Sequence, residues 1–214
     1  MVQIPPAAEA GDYLQSAGSV VVQHGGSVLA SAHSDDVECL EAGTPPAAFL
    51  LASFDSKLAL ESCWSDNTHQ AALAPLEAVA GLLVIASPGL PVEGLPDMLE
   101  IPTTASVTPP AGRGPRAYMV IQGSSTDQER MDQYRDIILP MLKEQGAYYI
   151  AFEIEGGARV LHGEWPYDIF AISRWPDHAA GHAFWDSDRY QHTAIPTRSG
   201  AGEFWVHFMI GDQG

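Results

Sequence analysis

Glu164 and Arg198, two charged residues in the carboxy-terminal half of the chain, carry the side chains that acid/base chemistry on a small organic compound requires. Glu164 precedes Trp165, and a carboxylate held against an indole and away from water has its pKa raised toward neutrality, which suits a general acid or base. Arg198 offers a fork of donors for a carboxylate or a developing oxyanion. Tyr190 is a further catalytic candidate that would orient a substrate or donate a proton. The alternative is that Glu164 and Arg198 form a structural ion pair between a hairpin and a helix.

Three polar residues stand alone on predicted strands whose alternate positions are apolar. Because residues i and i+2 face the same side of a strand, such a side chain either points at a ligand or is a buried group with its own hydrogen-bond partner. The three residues are Gln122, Arg174 and His207. His207 is also a catalytic candidate, because imidazole titrates near physiological pH. The apolar walls of a pocket would come from three substrate-binding candidates, Trp165, Trp185 and Trp205.

His178 and His182 lie four positions apart on a predicted helix, so both imidazoles face the same side. The spacing suits a metal ion, but the sequence places no carboxylate and no HExxH motif beside them. We interpret them as surface histidines on a first helical turn and predict no metal. No histidine has a context typical of a haem ligand, and the chain contains no phosphate loop or dinucleotide fingerprint, so we expect no cofactor.

The charge of the chain is strongly negative and unevenly distributed. The formal net charge is −17 over 214 residues, and Lys57 is the one basic residue before Arg113. Without a basic stripe to neutralise phosphates, nucleic acid and anionic membranes are not expected partners. Cys39 and Cys63 form no metal-ligand spacing and are expected to be reduced. The amino terminus has no signal-peptide pattern and no apolar run approaches 18 residues, so we expect a cytoplasmic protein.

An internal repeat organises the chain. Residues 160–210 align without a gap on residues 39–89 at an offset of 121 positions. The identical pairs are Leu40/Leu161, Pro45/Pro166, Phe49/Phe170, Ala59/Ala180, Trp64/Trp185, Gln70/Gln191, Pro75/Pro196, Ala80/Ala201 and Gly81/Gly202. The match predicts a tandem duplication.

The hydrophobic periodicity predicts the same elements in both copies. In the second copy the predicted strands are residues 117–122, 148–154 with its continuation 159–162 after a turn at 155–157, 169–175 and 204–210, and the helices are 126–145 and 177–190. Thr126 and Glu129 have capping-box spacing for the first of these helices. In the first copy the predicted helices are residues 7–24 and 56–69, and the strands are 27–32, 38–41, 47–54 and 82–86. This copy shows no obvious first strand, because only residues 1–4 precede its helix.

The order strand, helix, strand, strand, helix, strand is the ferredoxin-like βαββαβ unit, whose four-stranded antiparallel sheet has both helices on one face. The open face needs a cover, and the second copy supplies it. The predicted fold class is α+β, with two ferredoxin-like repeats packed sheet to sheet as an intrachain dimeric α/β barrel. The predicted organisation is a degenerate repeat at 1–89, a proline-rich linker at 90–115 and a second repeat at 116–214. Residues 95–101 of the linker are expected to pack on the surface.

The second copy resembles the domain-of-unknown-function 1330 family of the dimeric α/β-barrel superfamily. The resemblance rests on the sequence Gly-Glu-Trp-Pro at 163–166, Trp-Asp-Ser-Asp-Arg-Tyr at 185–190, and Arg198. The superfamily includes cofactor-independent monooxygenases, isomerases, cyclases and some haem enzymes, so the resemblance implies a fold rather than a reaction. Arg174 departs from the family, whose third strand often carries an acid there.

The first copy lacks the motif side chains of the second. Glu164, Trp165, Tyr190 and Arg198 align with Gly43, Thr44, His69 and Glu77. A site should therefore be single and belong to the second copy. We expect a cofactor-independent enzyme that acts on a small carbonyl or carboxylate compound by acid/base chemistry, of isomerase, lyase or cyclase type. The alternative is a non-catalytic small-molecule binding or assembly module, and either could be a monomer or a homodimer.

Overall fold

The computed structural model describes residues 1–6, 8, 10–90, 101–102, 114–154 and 157–212. Ten strands are β1 Val2–Ile4, β2 Gly26–His33, β3 Val37–Glu41, β4 Ala48–Phe54, β5 Leu83–Ala86, β6 Ala117–Ser125, β7 Tyr148–Glu153, β8 Arg159–His162, β9 Ile169–Trp175 and β10 Gly202–Ile210. Six α-helices are α1 Gly11–Gln23, α2 Lys57–Trp64, α3 Asn67–Glu77, α4 Gln128–Glu144, α5 His178–Trp185 and α6 Ile195–Arg198. A 3-10 turn, Ser34–Asp36, precedes β3, and a π turn, Tyr190–Ala194, precedes α6.

The strands form two five-stranded antiparallel sheets, and each half of the chain gives one strand to the sheet of the other half. The first sheet has the order β2-β4-β1-β5-β8 and the second has the order β3-β10-β6-β9-β7. The segment Val2–Ile4 is the central strand of the first sheet, so the first copy does have its first strand, although a short one. The architecture is the predicted α+β barrel of two sheets with helices outside.

The third strand of each half differs from the prediction. Residues 159–162 do not continue β7 in its own sheet, because β8 crosses to the first sheet and pairs with β5, with Val84 opposite His162. In the same way β3 pairs with β10, with Cys39 opposite His207. The predicted turn before β8 falls partly on residues 155 and 156, outside the described residues. This exchange joins the halves by backbone hydrogen bonds as well as by packing.

Local signals explain where the helices begin. Ser56 caps α2 by accepting a hydrogen bond from the Ala59 amide, and Asp177 caps α5 by accepting one from the Ala180 amide. Asp127, rather than the predicted Thr126, caps α4 by accepting from the Arg130 amide. The predicted helix 56–69 is two helices, because Asp66 accepts from the Thr68 amide and starts a new one.

The offset of 121 positions recurs in the structure. The bounds of β9 and α5 are those of β4 and α2 moved by 121. Gln70 Nε2 donates to the Trp64 carbonyl at 2.5 Å, and Gln191 Nε2 donates to the Trp185 carbonyl at 2.7 Å. The two halves thus share local geometry at the predicted offset, and their origin by duplication stays a prediction.

Apolar side chains fill three layers. Phe49, Leu51, Val120, Phe170 and Met209 lie between the sheets. A second layer lies between the first sheet and α1 and α3, and a third lies between the second sheet and α4 and α5. Ile101, from the predicted linker, is buried in the third layer, whereas residues 95–100 lie outside the described residues. None of the helices that the structure describes is long and apolar enough to cross a bilayer.

Candidate functional site

A cavity of about 340 Å³ lies between α4 and the helix-facing side of the second sheet. Alternate residues of β6, β9 and β10 face it, as the two-residue period of a strand requires. The apolar lining includes Met119, Ile138, Leu142, Ala171, Trp175, Phe184, Trp185 and Val206. The cavity belongs to the second half of the chain, where the single site was predicted, and it has the size and character of a small-molecule pocket.

Three polar side chains meet at the cavity wall: Tyr134 from α4, Tyr190 from the π turn and Arg198 from the end of α6. The two tyrosine hydroxyls lie 3.0 Å apart in a hydrogen bond. The Arg198 guanidinium lies over the Tyr134 ring at 5.2 Å and over the Phe204 ring at 4.7 Å. The π turn places Tyr190 here, and such turns often occur at functional sites.

Arg198 is 5 % exposed and forms a two-pronged ion pair with Glu41. Its Nη1 donates to Oε1 of Glu41 at 2.8 Å, and Nη2 donates to Oε2. Glu41 ends the exchanged strand β3, so the first half of the chain supplies the counter-ion for the second. Among the described residues the Nε of Arg198 is buried with no hydrogen-bond partner. One donor of the buried cation is therefore unsatisfied among the described residues.

The surroundings of Arg198 and Tyr190 fix the protonation of these two side chains at neutral pH. Burial disfavours the charge on Arg198, but the nearby Tyr134 and the Glu41 carboxylate outweigh burial, and its pKa lies above the ordinary value. Burial, followed by the effect of Tyr134, raises the pKa of Tyr190 well above its ordinary value. The site thus presents one fixed cation, the Arg198 guanidinium, and a neutral Tyr190 phenol, which donates a hydrogen bond to an oxygen but does not release its proton near neutrality.

Gln122 and Trp165 were predicted to touch substrate, but neither lines the cavity. Gln122 Nε2 donates to Oε1 of Gln3 at 2.9 Å, and Trp165 Nε1 donates to Oε1 of Gln122 at 3.2 Å. These bonds connect β6 with β1 of the other sheet. The alternative that Gln122 is a satisfied buried group therefore fits the structure.

His207 also lies between the sheets rather than at the cavity. It is 2 % exposed, its ring contacts Phe49 edge-on at 5.2 Å, and burial lowers its pKa to about 4. Within the described part of the chain its Nδ1 has no hydrogen-bond partner. His207 is consequently a neutral imidazole at pH 7, separated from the cavity by its own sheet.

The remaining predicted residues occupy other surfaces. Glu164 is exposed on the loop after β8, so the desolvation that the prediction required is missing. The predicted alternative of a Glu164–Arg198 ion pair is wrong, because Arg198 pairs with Glu41. Arg174 Nη1 donates to the Tyr148 hydroxyl at 2.7 Å, and the Trp205 ring lies 4.6 Å from the Tyr167 ring. Of the predicted site residues, the structure brings Tyr190, Arg198 and Trp185 together at the cavity.

Residues 116–211 match the family model described as "Domain of unknown function (DUF1330)". We call this matched segment the DUF1330 domain. Among solved structures, a candidate monooxygenase from Lactobacillus acidophilus NCFM is similar at 10 % identity and a TM-score of 0.47, covering 99 % of this chain and 92 % of that one. An anthrone oxidase-like protein is similar at 15 % identity and a TM-score of 0.46, covering 99 % and 89 %. No curated protein matches the sequence of the chain.

The first half shows what the DUF1330 domain has in addition. At the positions equivalent to Tyr134 and Tyr190, the Tyr13 hydroxyl lies 3.2 Å from Nε2 of His69. At the positions equivalent to Glu41 and Arg198, Nδ1 of His162 lies 3.7 Å from Glu77. Both contacts of the DUF1330 domain, between Tyr134 and Tyr190 and between Glu41 and Arg198, thus have an equivalent in the first half. The equivalent of the buried Arg198 is Glu77, so the first half has no fixed cation at that position.

Sequence reasoning missed Tyr134 and Glu41. Tyr13 and Tyr134 are separated by the same 121 positions as the aligned pairs, so extending the repeat to the first helices would have found this tyrosine. Glu41 had no such signal. It lies 157 positions from Arg198, and only the exchange of β3 brings it to the DUF1330 domain.

Proposed function

We propose that the DUF1330 domain binds a small, largely apolar organic compound that carries a carboxylate, phenolate or carbonyl oxygen. The observation that carries the proposal is the buried Arg198 at the wall of an apolar cavity, with its Nε unpaired among the described residues. A buried cation without a full set of acceptors favours an oxygen ligand. The hydroxyls of Tyr134 and Tyr190 lie at the same wall and would donate to that oxygen.

The same groups support a cofactor-independent enzyme. A guanidinium and phenol hydroxyls at an apolar cavity wall stabilise negative charge that develops on a carbonyl oxygen. Isomerase, lyase and cyclase reactions that begin by removal of a proton next to a carbonyl group form an enolate, whose negative charge lies largely on that oxygen. With Glu164 and His207 away from the cavity, the lining offers three carboxylates, of Asp127, Asp132 and Asp168. Asp127 caps α4 and Asp132 pairs with Arg135, so we take Asp168 as the proton acceptor.

A pair of matched probes tests binding. 2-Naphthoate and 2-naphthamide share one apolar ring system and differ in charge, and Trp175 and Trp185 in the lining report occupancy by fluorescence. We expect the wild type to prefer naphthoate about tenfold, since a hydrogen bond to a charged group contributes roughly 1.5–3 kcal/mol. Arg198→Met should abolish the preference. Glu164→Gln, outside the cavity, is the control and should keep it.

A proton-exchange assay separates the enzyme from a non-catalytic binding module. Deuterium incorporation next to the carbonyl of 2-tetralone, followed by NMR in D₂O, reports enolate formation without knowledge of the natural substrate. An enzyme accelerates the exchange, 2-naphthoate inhibits it, and Arg198→Met or Asp168→Asn slows it. Naphthoate binding without acceleration supports the binding module. Equal affinity of the two naphthalene probes in the wild type contradicts the proposed site.

A further inference from the structure

A second group of functional side chains lies outside the cavity, where β3 of the first half meets α5 of the second. Glu38 of β3 faces His178 and His182 of α5, and one ligating atom from each of the three lies within 4.8 Å of the others. A Glu38 oxygen contacts Nε2 of His178, and the other lies 2.9 Å from Nε2 of His182. The carboxylate that the sequence did not place beside the two histidines therefore comes from 140 positions away.

The two imidazoles are held in place by the packing beneath them. The His178 ring stacks on the Phe208 ring with centroids 4.9 Å apart and planes 5° from parallel. The His182 ring meets the same phenyl ring at 5.7 Å, tilted by 61°. Gly181 makes this possible, because a Cβ at that position would overlap Phe208. The buried ring thus orients both Nε2 atoms before any ligand arrives.

Asp186 completes the surroundings of His182. Its Oδ2 lies 3.0 Å from Nδ1 of His182, on the opposite side of the ring from Glu38. When a carboxylate accepts the N–H of one ring nitrogen, the other ring nitrogen carries the lone pair and can bind a metal ion. Metal-binding histidines usually have such a carboxylate partner.

The first half provides an internal comparison. The positions equivalent to Glu38, His178 and His182 hold Arg159, Lys57 and Glu61. There, Glu61 lies between two fixed cations, 3.1 Å from Arg159 and 3.8 Å from Lys57. Protonated lysine and arginine cannot bind a metal ion, whereas imidazole can. Two imidazoles beside a carboxylate therefore replace an ordinary ion-pair cluster with a set of metal ligands.

We infer that Glu38, His178 and His182 form a binding site for a divalent first-row transition metal ion, with Zn²⁺ as the expected occupant. Two imidazole nitrogens and one carboxylate oxygen suit such ions and leave coordination positions for water. Ligands about 2.0–2.2 Å from a tetrahedral zinc are roughly 3.4 Å apart, so the three side chains need only small shifts. The bound ion would tie the exchanged strand β3 to α5.

Calorimetry on the untagged, EDTA-treated full chain tests this site, with zinc chloride as the probe. The expected stoichiometry is one Zn²⁺ per chain. Glu38→Gln, His178→Ala and His182→Ala should each lower the affinity at least tenfold, and Asp186→Asn should lower it about tenfold through His182. Magnesium chloride should give no binding, because Mg²⁺ prefers oxygen ligands.

Two controls distinguish the site from adventitious zinc binding. Glu61→Gln removes the equivalent carboxylate of the first half, and His192→Ala removes an exposed histidine of the second half. Both should keep the wild-type affinity. A measurement on the wild type needs no variant: zinc should shift the ring signals of two of the eight histidines in NMR spectra. No zinc binding by the wild type, or a Glu38→Gln affinity within twofold of the wild type, overturns the inference, as does an equal loss in His192→Ala.

Discussion

Replacing Glu41 by glutamine removes the counter-ion of Arg198 and leaves a buried cation without its partner. Removing one member of a fully buried pair costs about 3–5 kcal/mol. Glu41 is 29 % exposed, so water screens part of the interaction, and we expect the free energy of unfolding to fall by about 2–3 kcal/mol. For a chain of this length the melting temperature should fall by roughly 4–12 °C. Urea unfolding followed by circular dichroism measures the change.

The equivalent pair of the first half is the matched control. His162 and Glu77 lie 3.7 Å apart and are 26 % and 44 % exposed, so the pair is closer to a surface ion pair. His162→Gln should cost at most about 1 kcal/mol. Glu41→Gln combined with Arg198→Met removes both charges and should recover part of the lost stability, because the penalty comes from the unpaired cation.

An added anion gives a second test of the same reasoning. In Glu41→Gln the released guanidinium donors are available at the cavity wall, so 2-naphthoate should raise the melting temperature of this variant more than that of the wild type. A loss below about 0.5 kcal/mol in Glu41→Gln, within the range of ordinary surface substitutions, would refute the claim that the pair holds a buried charge.

Further substitutions test other parts of the structure. His207 has a folded pKa of about 4, below its unfolded value, so its contribution is complete above about pH 6.5 and is lost as pH falls toward 4. The melting temperature of the wild type should therefore fall more steeply than that of His207→Leu between pH 6.5 and 4, and parallel curves would contradict this. Gly181→Ala should cost about 1–3 kcal/mol in urea unfolding, because the new methyl group overlaps Phe208; a neutral result would show that the ring moves aside freely. Glu164→Gln should change the free energy of unfolding by less than about 0.5 kcal/mol, because its side chain is exposed, and a larger loss would reveal an unrecognised contact.

Periodicity and the internal repeat predicted most of the fold because they reflect local constraints. The apolar runs at Ala48–Phe54 and Ile169–Trp175 are typical of buried strands, and the helices α2, α3, α4 and α5 each begin at a capping side chain. The first strand was not predicted, because Val2–Ile4 is too short to show a hydrophobic period of two residues. Residues 159–162 were given to the wrong sheet, since a strand's residues fix its faces but not its neighbours.

The candidate site was predictable only in part. Strand parity marked Gln122, Arg174 and His207 as isolated polar positions, but all three lie on the inter-sheet side of their strands, whereas the cavity lies on the opposite side. A period of two residues separates the faces of a strand without indicating which one holds the ligand. Arg198 and Tyr190 were predicted from the family resemblance, because both belong to the residues that carry it, and the structure places both at the cavity wall.

The exchange of β3 explains why sequence patterns could not predict the partner of Arg198 or the carboxylate beside His178 and His182. Glu41 reaches Arg198 and Glu38 reaches His178 and His182 because the strand that carries both acids pairs with β10 of the DUF1330 domain. The reciprocal strand β8 carries His162 and Arg159 to Glu77 and Glu61. The two exchanged strands thus carry opposite kinds of side chain. The acids of β3 meet arginine or histidine partners, whereas the arginine and histidine of β8 meet acids. Two halves of identical sequence would form the same contacts twice, because the equivalent positions 41 and 162 meet the equivalent positions 198 and 77. The sequence differences between the halves therefore restrict the buried cation and the set of metal ligands to the pairing of β3 with the DUF1330 domain.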